Sequence, residues 1–258
     1  MIILKTIAEL YNYRKSIQHQ SLGLVATMGA LHQGHISLVN KSITDNTQTL
    51  VSIFVNPTQF DQSNDLINYP NTLDNDLIYL EETGVNAVFI PNFNDIYPDN
   101  YSFKVHEKYL SNKYCGAHRK GHFTGVLTVV MKLFNLVIPD KAYFGEKDYQ
   151  QLTLIKNMVL AFFMNIKIIS CPIVREEDGL AMSSRNLRLT PEQRKMAPKI
   201  YETLKHYVSC EQITQKLSVL GFKVDYVEKL DNRILVAAYL GEVRLIDNIE
   251  TSNSNVDS

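Results

Sequence analysis

The sequence predicts an α/β protein: a doubly wound parallel sheet followed by a smaller α+β domain. Two observations lead to this fold class. Short apolar segments alternate with segments of helical periodicity through roughly the first two thirds of the chain, a pattern typical of parallel strands joined by crossover helices. After about residue 174 this alternation stops, and helices are followed by strands. We therefore expect one domain over residues 1–174 and a second over residues 175–258.

Apolar segments of the first domain are predicted strands, and the first of them is apolar on both faces. They are residues 22–27, 49–55, 85–90, 142–144 and 166–174. The intervening segments have the apolar spacing of helices, over residues 35–46, 70–82, 127–137 and 148–164. Ligands of such sheets bind beyond the carboxyl ends of the strands, near the point where the strand order reverses. The loops that follow the strands are therefore the first candidates for a site.

The second domain is predicted to contain two helices and a hairpin. Residues 191–208 and 211–220 have helical periodicity. Residues 223–230 and 233–246 have the composition of strands, and they meet at Asp231-Asn232, a pair typical of turns.

The bulk composition excludes several classes of protein. Hydrophobic residues make up 45% of the chain and charged residues 21%, which indicates a folded core. A net charge of −1 gives no reason to expect nucleic-acid binding. Apolar runs stay shorter than the roughly 18 residues of a membrane helix, and the first residues become polar too early for a signal peptide. Three cysteines without framework spacing indicate a reducing compartment, so we expect a cytoplasmic protein.

Residues 28–35, Met-Gly-Ala-Leu-His-Gln-Gly-His, follow a predicted strand and begin a predicted helix. We call them the histidine loop. Gly29 and Gly34 allow the backbone to approach a ligand closely, and the N–H groups at a helix N-terminus suit a phosphate. His32 and His35 lie on the same side of a helical turn. The alternative interpretation is an ordinary helix start with two solvated histidines.

Asn56 and Gln59 follow the next predicted strand. Their amide side chains both donate and accept hydrogen bonds, so they suit a ligand that carries hydroxyl groups and a carboxylate. Residues 56–60, Asn-Pro-Thr-Gln-Phe, taken by themselves favour the alternative, an ordinary Asn-Pro turn.

Two later segments have the composition of a phosphate site. Lys147 lies near a helix start, where a cation opposes the helix dipole, so a bound anion would explain its presence. Ser183, Ser184 and Arg185 provide hydroxyl donors and a guanidinium, which suit a phosphate chain. The alternatives are a capped helix with a solvated lysine and a polar linker between domains.

Cys115, His118 and His122 have the spacing Cys-x-x-His-x-x-x-His, which a helix could turn into a zinc site. Gly116 and Gly121 disfavour a regular helix there, and the sequence nearby offers no fourth ligand. We therefore expect no protein-bound metal.

Five motifs in this order resemble the pantothenate synthetase family, also called pantoate-β-alanine ligases. The motifs are Thr-Met-Gly-Ala-Leu-His-Gln-Gly-His, Val-Ser-Ile-Phe-Val-Asn-Pro-Thr-Gln-Phe, Gly-His-Phe-Thr-Gly-Val, Phe-Gly-Glu-Lys-Asp-Tyr-Gln-Gln-Leu and Asp-Gly-Leu-Ala-Met-Ser-Ser-Arg-Asn. The resemblance extends from about residue 1 to Asn248. It implies a Rossmann-type domain of the HIGH-motif nucleotidyltransferase kind, a small C-terminal lid domain and a homodimer.

The resemblance also implies an activity, the ATP-dependent condensation of (R)-pantoate with β-alanine. The reaction would pass through a pantoyl-adenylate and release AMP and pyrophosphate. Mg²⁺ would sit on phosphate oxygens with few protein ligands.

The resemblance assigns residues to each ligand. The residues expected to hold ATP are Met28, Gly29, Ala30, Leu31, His32, Gln33, Gly34, His35, Gly145, Glu146, Lys147, Asp148, Val174, Met182, Ser183, Ser184 and Arg185. Those expected to act in catalysis are His32, His35, Lys147, Ser183, Ser184 and Arg185. Those expected to line the pantoate and β-alanine region are Gln59, Gln151, Asn56, Tyr69 and Arg119.

The chain departs from the family pattern at Ala26, Asn71, Cys115 and Lys120, where Pro, Arg, Glu and Pro are usual. The stretch between residues 221 and 235 is also shorter than usual. These departures concern loop rigidity and the size of the lid, because the residues assigned to phosphates are all present.

Two other functions share part of this pattern. A nucleotidyltransferase that makes a dinucleotide or an adenylated cofactor would share the histidine loop but would not need both Gln59 and Gln151. A nucleotide-sensing module with an inactive site would be favoured by the loss of Lys147 or His35, and both are present.

Overall fold

The computed structural model describes residues 1–61, 63–207 and 209–251. The chain divides into two compact units. Unit 1 comprises Met1–Glu146 and Gln151–Cys171, and unit 2 comprises Lys147–Gln150 and Pro172–Ser258. Compactness does not test what each part does, so the functional division at residue 174 stays a prediction.

Within the described residues, unit 1 contains one six-stranded parallel sheet. Its strands are β1 Ile2–Leu4, β2 Leu22–Thr27, β3 Gln48–Ile53, β4 Ala87–Phe89, β5 Lys141–Gly145 and β6 Lys167–Cys171. Their order across the sheet is β1-β4-β3-β2-β5-β6. From β2 the chain moves through β3 and β4 towards one edge, and it then returns to β5 and β6 on the other side. The order therefore reverses between β2 and β5, and the predicted doubly wound parallel fold is confirmed.

Helices connect these strands. They are α1 Ile7–Ser16, α2 Gln33–Asp45, α3 Ser63–Ile67, α4 Leu73–Thr83, α5 Phe93–Ile96, α6 Cys115–His118, α7 His122–Val137 and α8 Tyr149–Ala161. The first residues of α8 belong to unit 2. Local signals set the ends of several helices: Thr6 and Glu9 form a capping box at α1, and Gly84 ends α4 with a φ of 89°, as left-handed C-terminal glycines do.

Apolar side chains hold the sheet of unit 1 against its helices. Val25, Val51 and Val88 from three neighbouring strands pack in one cluster with Val39 of α2 and Leu80 of α4. All five are fully buried, and burial of such a side chain stabilises the fold by roughly 1.5–3 kcal/mol. The loops at the carboxyl ends of β2 and β3 therefore start from a rigid base.

Unit 2 is the predicted smaller α+β fold. Its described residues form an antiparallel sheet of three strands, β7 Lys223–Leu230, β8 Arg233–Leu240 and β9 Val243–Glu250, in that order. Its helices are α9 Pro191–Met196, α10 Lys199–His206 and α11 Cys210–Val219. Leu204, Leu217, Phe222, Val236 and Leu245 belong to the buried cluster that joins helices and sheet.

Two sequence-based expectations about elements were wrong in detail. The helix predicted over residues 191–208 is two helices, because Pro198 lacks an amide hydrogen and lies between them; Val208 lies outside the described residues. The strand predicted over residues 233–246 is β8 and part of β9, separated by a turn at Gly241 with a φ of 57°. The sequence analysis also missed β1 and α1.

None of the helices within the described residues is both long and apolar enough to cross a membrane.

Helix α7 approaches the turn that follows β3 without any intervening side chain. A Cβ atom added at Gly125 would lie 2.4 Å from the carbonyl oxygen of Thr58 and 2.7 Å from the amide nitrogen of Gln59. Both distances are shorter than van der Waals contact, and the obstacle is backbone. Only glycine allows α7 and this turn to pack at the observed distance.

We therefore predict that Gly125→Ala lowers the free energy of unfolding by about 1–3 kcal/mol, the usual cost of overpacking. The gain in helix propensity, roughly 1 kcal/mol, should not offset it. The measurement is chemical denaturation of both proteins. Gly145→Ala is the control, since a Cβ there would meet nothing within 4 Å; equal stability of the two variants would show that the close approach is not a constraint.

Candidate active site

The predicted site loops leave the sheet of unit 1 at its reversal point. The histidine loop follows Thr27 at the carboxyl end of β2, and Gly145 ends β5. These two strands are neighbours and run parallel, so both loops begin at the same edge of the sheet. Open parallel sheets bind ligands at this position.

A buried carboxylate holds the backbone of the histidine loop. Gly29 and Ala30 both have positive φ, 78° and 50°, which is costly for alanine. Asp76 of α4, only 4% exposed, accepts hydrogen bonds from the amides of Ala30 and Leu31, each at 2.8 Å. These charge-assisted bonds stabilise the left-handed turn that brings the chain to the start of α2.

The two histidine rings are oriented by their own backbone. Nδ1 of His32 accepts from the amide of Gly34 at 3.1 Å, and Nδ1 of His35 accepts from the amide of His32 at 3.3 Å. The ring centroids are 4.1 Å apart. A nitrogen that accepts carries no hydrogen, so each neutral ring has its hydrogen on Nε2. Each ring therefore carries an Nε2–H group, which is able to donate to a phosphate oxygen.

Asn56 is buried and holds the side chain of Gln59 through a hydrogen bond. Its Nδ2 donates to Oε1 of Gln59 at 3.0 Å and to the carbonyl of Gly125 at 3.3 Å. Its Oδ1 accepts from the hydroxyl of Tyr97 at 2.9 Å. Burial raises the pKa of Tyr97 to about 12, so this hydroxyl remains a donor at neutral pH. Gln59 in turn directs Nε2 to the sulfur of Met28 at 3.1 Å, which fixes the orientation of its amide.

Arg119 and His122 hold the backbone of the same turn. His122 Nδ1 lies 2.7 Å from the carbonyl of Gln59 and must donate, because a carbonyl only accepts. Its Nε2 therefore accepts from Arg119 Nη1 at 3.1 Å, while Arg119 Nε binds Asp61 at 2.8 Å. Both ring nitrogens of His122 are thus engaged by protein. In the part of the chain that the structure describes, no cluster of three His, Cys, Asp or Glu side chains could hold a metal ion, so the zinc alternative has no structural support.

The remaining predicted substrate residues occupy separate elements of unit 1. Tyr69 packs edge-on against Phe60, with ring centroids 5.8 Å apart. Gln151 is half-buried in the first turn of α8. Among the positions that depart from the family pattern, Asn71 and Lys120 are exposed and Cys115 is buried.

In unit 2, Lys147 is held by the segment that contains the two serines. Its Nζ donates to the carbonyl of Met182 at 2.9 Å. The residue as a whole is half-buried, but its ammonium group is enclosed, and burial lowers its pKa; the nearby Arg185 acts in the same direction, whereas Asp148 and Asp247 oppose it. An enclosed cation of this kind is stabilised when an anion arrives.

Residues 182–185, which we call the serine segment, follow a short hairpin in which Arg175 pairs antiparallel with Ala181. The amide of Met182 donates to the carbonyl of Val174 at 3.0 Å, and Gly179, with a φ of 91°, lies in the turn between them. Ser183 then caps a short 3₁₀ helix, since its Oγ accepts from the amide of Arg185 at 3.3 Å. These bonds define the backbone that carries Ser183, Ser184 and Arg185.

Sequence reasoning missed Asp76, Tyr97 and Asp247. Asp76 had a detectable signal, because it lies four residues before Leu80 on the apolar face of α4, where an unpaired carboxylate would be costly. Tyr97 had no such signal, since its hydroxyl contacts a residue 41 positions away.

Comparison with known proteins identifies the family. A family model for pantoate-β-alanine ligase matches residues 2–250. This chain belongs to that family. It is 54% identical over 248 residues to pantothenate synthetase of Bdellovibrio bacteriovorus, covering 96% of this chain and 98% of the relative. It is 49% identical over 249 residues to pantothenate synthetase of Legionella pneumophila, covering 96% and 99%.

Solved structures of pantoate-β-alanine ligases have the same fold. The enzyme of Francisella tularensis, crystallised with beta-gamma ATP and β-alanine, superimposes with a TM-score of 0.93 at 47% identity, covering 97% of both chains. Pantothenate synthetase of Thermus thermophilus gives a TM-score of 0.89 at 39% identity, covering 97% of this chain and 99% of its own.

The two curated relatives also bear on the length of the chain. They are matched over 98% and 99% of their own lengths by 248 and 249 residues, so they are nearly as long as this chain. The shorter stretch between residues 221 and 235 therefore does not set this chain apart from them.

We predict that Asp76→Asn destabilises the protein by about 1–3 kcal/mol, because the new amide group cannot accept from both backbone donors and leaves one buried N–H unsatisfied. Asp74→Asn is the matched control, since Asp74 lies on the same helix but is exposed; it should change stability by less than about 0.5 kcal/mol. Thermal and chemical unfolding measure both. Identical behaviour of the two variants would contradict a role for Asp76 in holding the loop.

Proposed function

We propose that this protein catalyses the ATP-dependent condensation of (R)-pantoate with β-alanine to form pantothenate, through a pantoyl-adenylate and with release of AMP and pyrophosphate. The observation that carries the proposal is the family match over residues 2–250. The Francisella relative crystallised with beta-gamma ATP and β-alanine supports ATP and β-alanine as ligands of this chain.

The histidine loop supplies donors for the phosphates of ATP. The geometry of unit 1 supports this role. The rings of His32 and His35 lie at the N-terminus of α2 with their centroids 4.1 Å apart, and each carries an Nε2–H group. Backbone N–H groups at a helix start and imidazole donors together suit an oxyanion. Met28, Gly29, Ala30, Leu31, Gln33 and Gly34 form the backbone around them.

Residues of unit 2 supply the positive charge. Lys147 and Arg185 offset charge on the departing pyrophosphate, and Ser183 and Ser184 donate to its oxygens. The enclosed ammonium of Lys147 supports this role, since burial disfavours its charged form and a bound anion would favour that form. Further nucleotide contacts are assigned to Gly145, Glu146, Asp148, Val174 and Met182.

In the first step the carboxylate of pantoate attacks the α-phosphorus of ATP. A carboxylate is already ionised at neutral pH and needs no base, so the protein's contribution is positioning and charge stabilisation. In the second step the neutral amine of β-alanine attacks the acyl carbon, AMP departs with the electron pair of the broken C–O bond, and the nitrogen releases one proton to solvent.

Pantoate and β-alanine are assigned to the turn that follows β3. Gln59 is held by Asn56 and Met28, so its amide is pre-oriented rather than mobile, which favours specific hydrogen bonds to hydroxyls and a carboxylate. Gln151, Tyr69 and Arg119 complete the proposed set.

Mg²⁺ is proposed to enter as MgATP, as part of the substrate. The candidate phosphate residues are histidine, lysine, serine and arginine, which suit phosphate oxygens rather than a hard cation, and the described residues contain no acidic or histidine cluster for a metal. A homodimer and a cytoplasmic location also belong to this proposal.

The activity is tested by incubating the protein with MgATP and pantoate, with and without β-alanine. Pyrophosphate should appear only when pantoate is present, and sustained AMP and pantothenate production should require β-alanine. Formation of ADP, or pyrophosphate release that is independent of pantoate, would refute the proposal.

We predict that His35→Ala lowers the rate of pyrophosphate release by at least about 10²-fold, the usual cost of removing one preorganised donor, with the fold retained. His19→Ala, an exposed histidine of the same unit, is the control and should leave the rate unchanged. A folded His35→Ala enzyme with near-normal rate would remove His35 from the mechanism.

The lowered pKa of Lys147 predicts a pH dependence. Its charged form is the one that binds phosphate, and this form is lost as pH rises through a pKa below the ordinary lysine value. The kcat/KM for ATP should therefore fall on the alkaline side earlier than an ordinary lysine would cause. Lys147→Arg should move that decline to higher pH, because arginine stays protonated; an unchanged alkaline limb would show that another group titrates.

A further inference from the structure

Asp247 and Asn248 lie near the end of β9 and are among the most buried polar residues of unit 2, at 4% and 1% exposure. Both take part in hydrogen bonds that lead to the two proposed nucleotide segments of unit 2. These contacts form a closed circuit of hydrogen bonds.

The first branch runs from Asp247 to the serine segment. The carboxylate binds Arg175 through two parallel bonds, Nη1 to Oδ2 at 2.6 Å and Nη2 to Oδ1 at 2.9 Å. Arg175 also donates to the carbonyl of Gly179 at 3.1 Å, and its guanidinium lies 3.5 Å from the ring centroid of Tyr201. Asp247 therefore fixes the turn whose far end is Met182.

The second branch runs from Asn248 to Lys147. Nδ2 of Asn248 donates to the carbonyl of Lys147 at 3.1 Å, while its Oδ1 accepts from Arg233 at 2.8 Å. Its own carbonyl accepts from Arg175 at 3.4 Å. Arg233 thus orients the side-chain amide of Asn248 through its oxygen, and the amide nitrogen holds the backbone of Lys147.

The circuit closes where Nζ of Lys147 donates to the carbonyl of Met182. We propose that Asp247 and Asn248 are positioning residues. Together they hold Lys147 at the correct place relative to Ser183, Ser184 and Arg185 for ATP binding. This rests on the proposed function, which assigns those residues to ATP.

The charges of the circuit fit this role. A buried carboxylate close to a phosphate site would repel the substrate if it were unpaired. The two-point bond to Arg175 offsets the charge of Asp247 inside the protein, so the phosphates would not face an unpaired carboxylate. Asp247 and Asn248 can thus position the ATP-binding residues without adding a net negative charge near the phosphates.

The test compares variants of the pair with matched variants elsewhere in unit 2. Asn248→Ala removes the bond to Lys147 without changing charge. Asp247→Asn weakens the bond to Arg175. If Asp247→Asn does not fold, Asn248→Ala still tests the inference. Asp225→Asn alters another ion pair of the same sheet, Arg244 to Asp225 at 2.8 Å, and Asn232→Ala alters an exposed asparagine.

We expect Asn248→Ala to raise the KM for ATP by about tenfold, as loss of one well-placed hydrogen bond does, and to leave the KM values for pantoate and β-alanine within about twofold. Titration with α,β-methylene ATP should show the same loss of affinity. Asp225→Asn and Asn232→Ala should not raise the KM for ATP, even where they lower the melting temperature.

An unchanged affinity of Asn248→Ala for α,β-methylene ATP would overturn the inference, as would an equal loss in Asp225→Asn. The titration needs no turnover, so it separates the two proposals. If the wild-type protein released no pantoate-dependent pyrophosphate, the proposed function would fail, and the affinity of the variants would still decide the positioning role.

Discussion

The candidate site of unit 1 depends on the parallel pairing of β2 with β5. Gly23 pairs with Lys141 and Leu24 with Ala142, and on either side of this pair the chain winds outwards in opposite directions. The connections that follow β2 and β5 must therefore diverge, which leaves room beyond the strand ends. Without this pairing, there would be no space beyond the strand ends into which the histidine loop could direct its donors.

Buried polar side chains then convert that position into a defined geometry. Asp76 holds two amides of the histidine loop, Asn56 holds the amide of Gln59, and Asn248 holds the backbone of Lys147. In each case a buried group satisfies a backbone or side-chain partner that would otherwise be left unpaired. Groups preoriented in this way need little reorganisation when charge develops on a phosphate, which is the usual source of rate enhancement in such reactions.

The fold class could be predicted from the sequence because strand burial and helix periodicity are local properties. Residues 22–27 were predicted as a strand with the observed bounds, since six apolar or small residues in a row leave few alternatives. The start of α1 could also have been predicted, because Thr6 and Glu9 have capping-box spacing. The division of residues 233–246 could not, since apolar residues continue almost to the turn and the decisive feature is the positive φ of Gly241.

For the site, motifs indicated which side chains lie at loop starts but not what holds them. The pairing of Arg175 with Asp247 spans 72 residues, and no local pattern connects them. Likewise, the tautomers of His32 and His35 follow from which backbone amides their Nδ1 atoms meet, and spacing alone does not determine this. Long-range contacts of this kind decide the geometry of the site and are visible only in the folded chain.

The most direct test of the account is the fate of the carboxylate oxygen of pantoate. If the carboxylate attacks the α-phosphorus, one of its oxygens must leave with AMP when β-alanine attacks the acyl carbon. Pantoate labelled with oxygen-18 in its carboxylate should therefore yield AMP that carries the label in its phosphate, as measured by mass spectrometry or phosphorus NMR. Unlabelled AMP, or label that appears in inorganic phosphate beside ADP, would contradict activation through an acyl-adenylate.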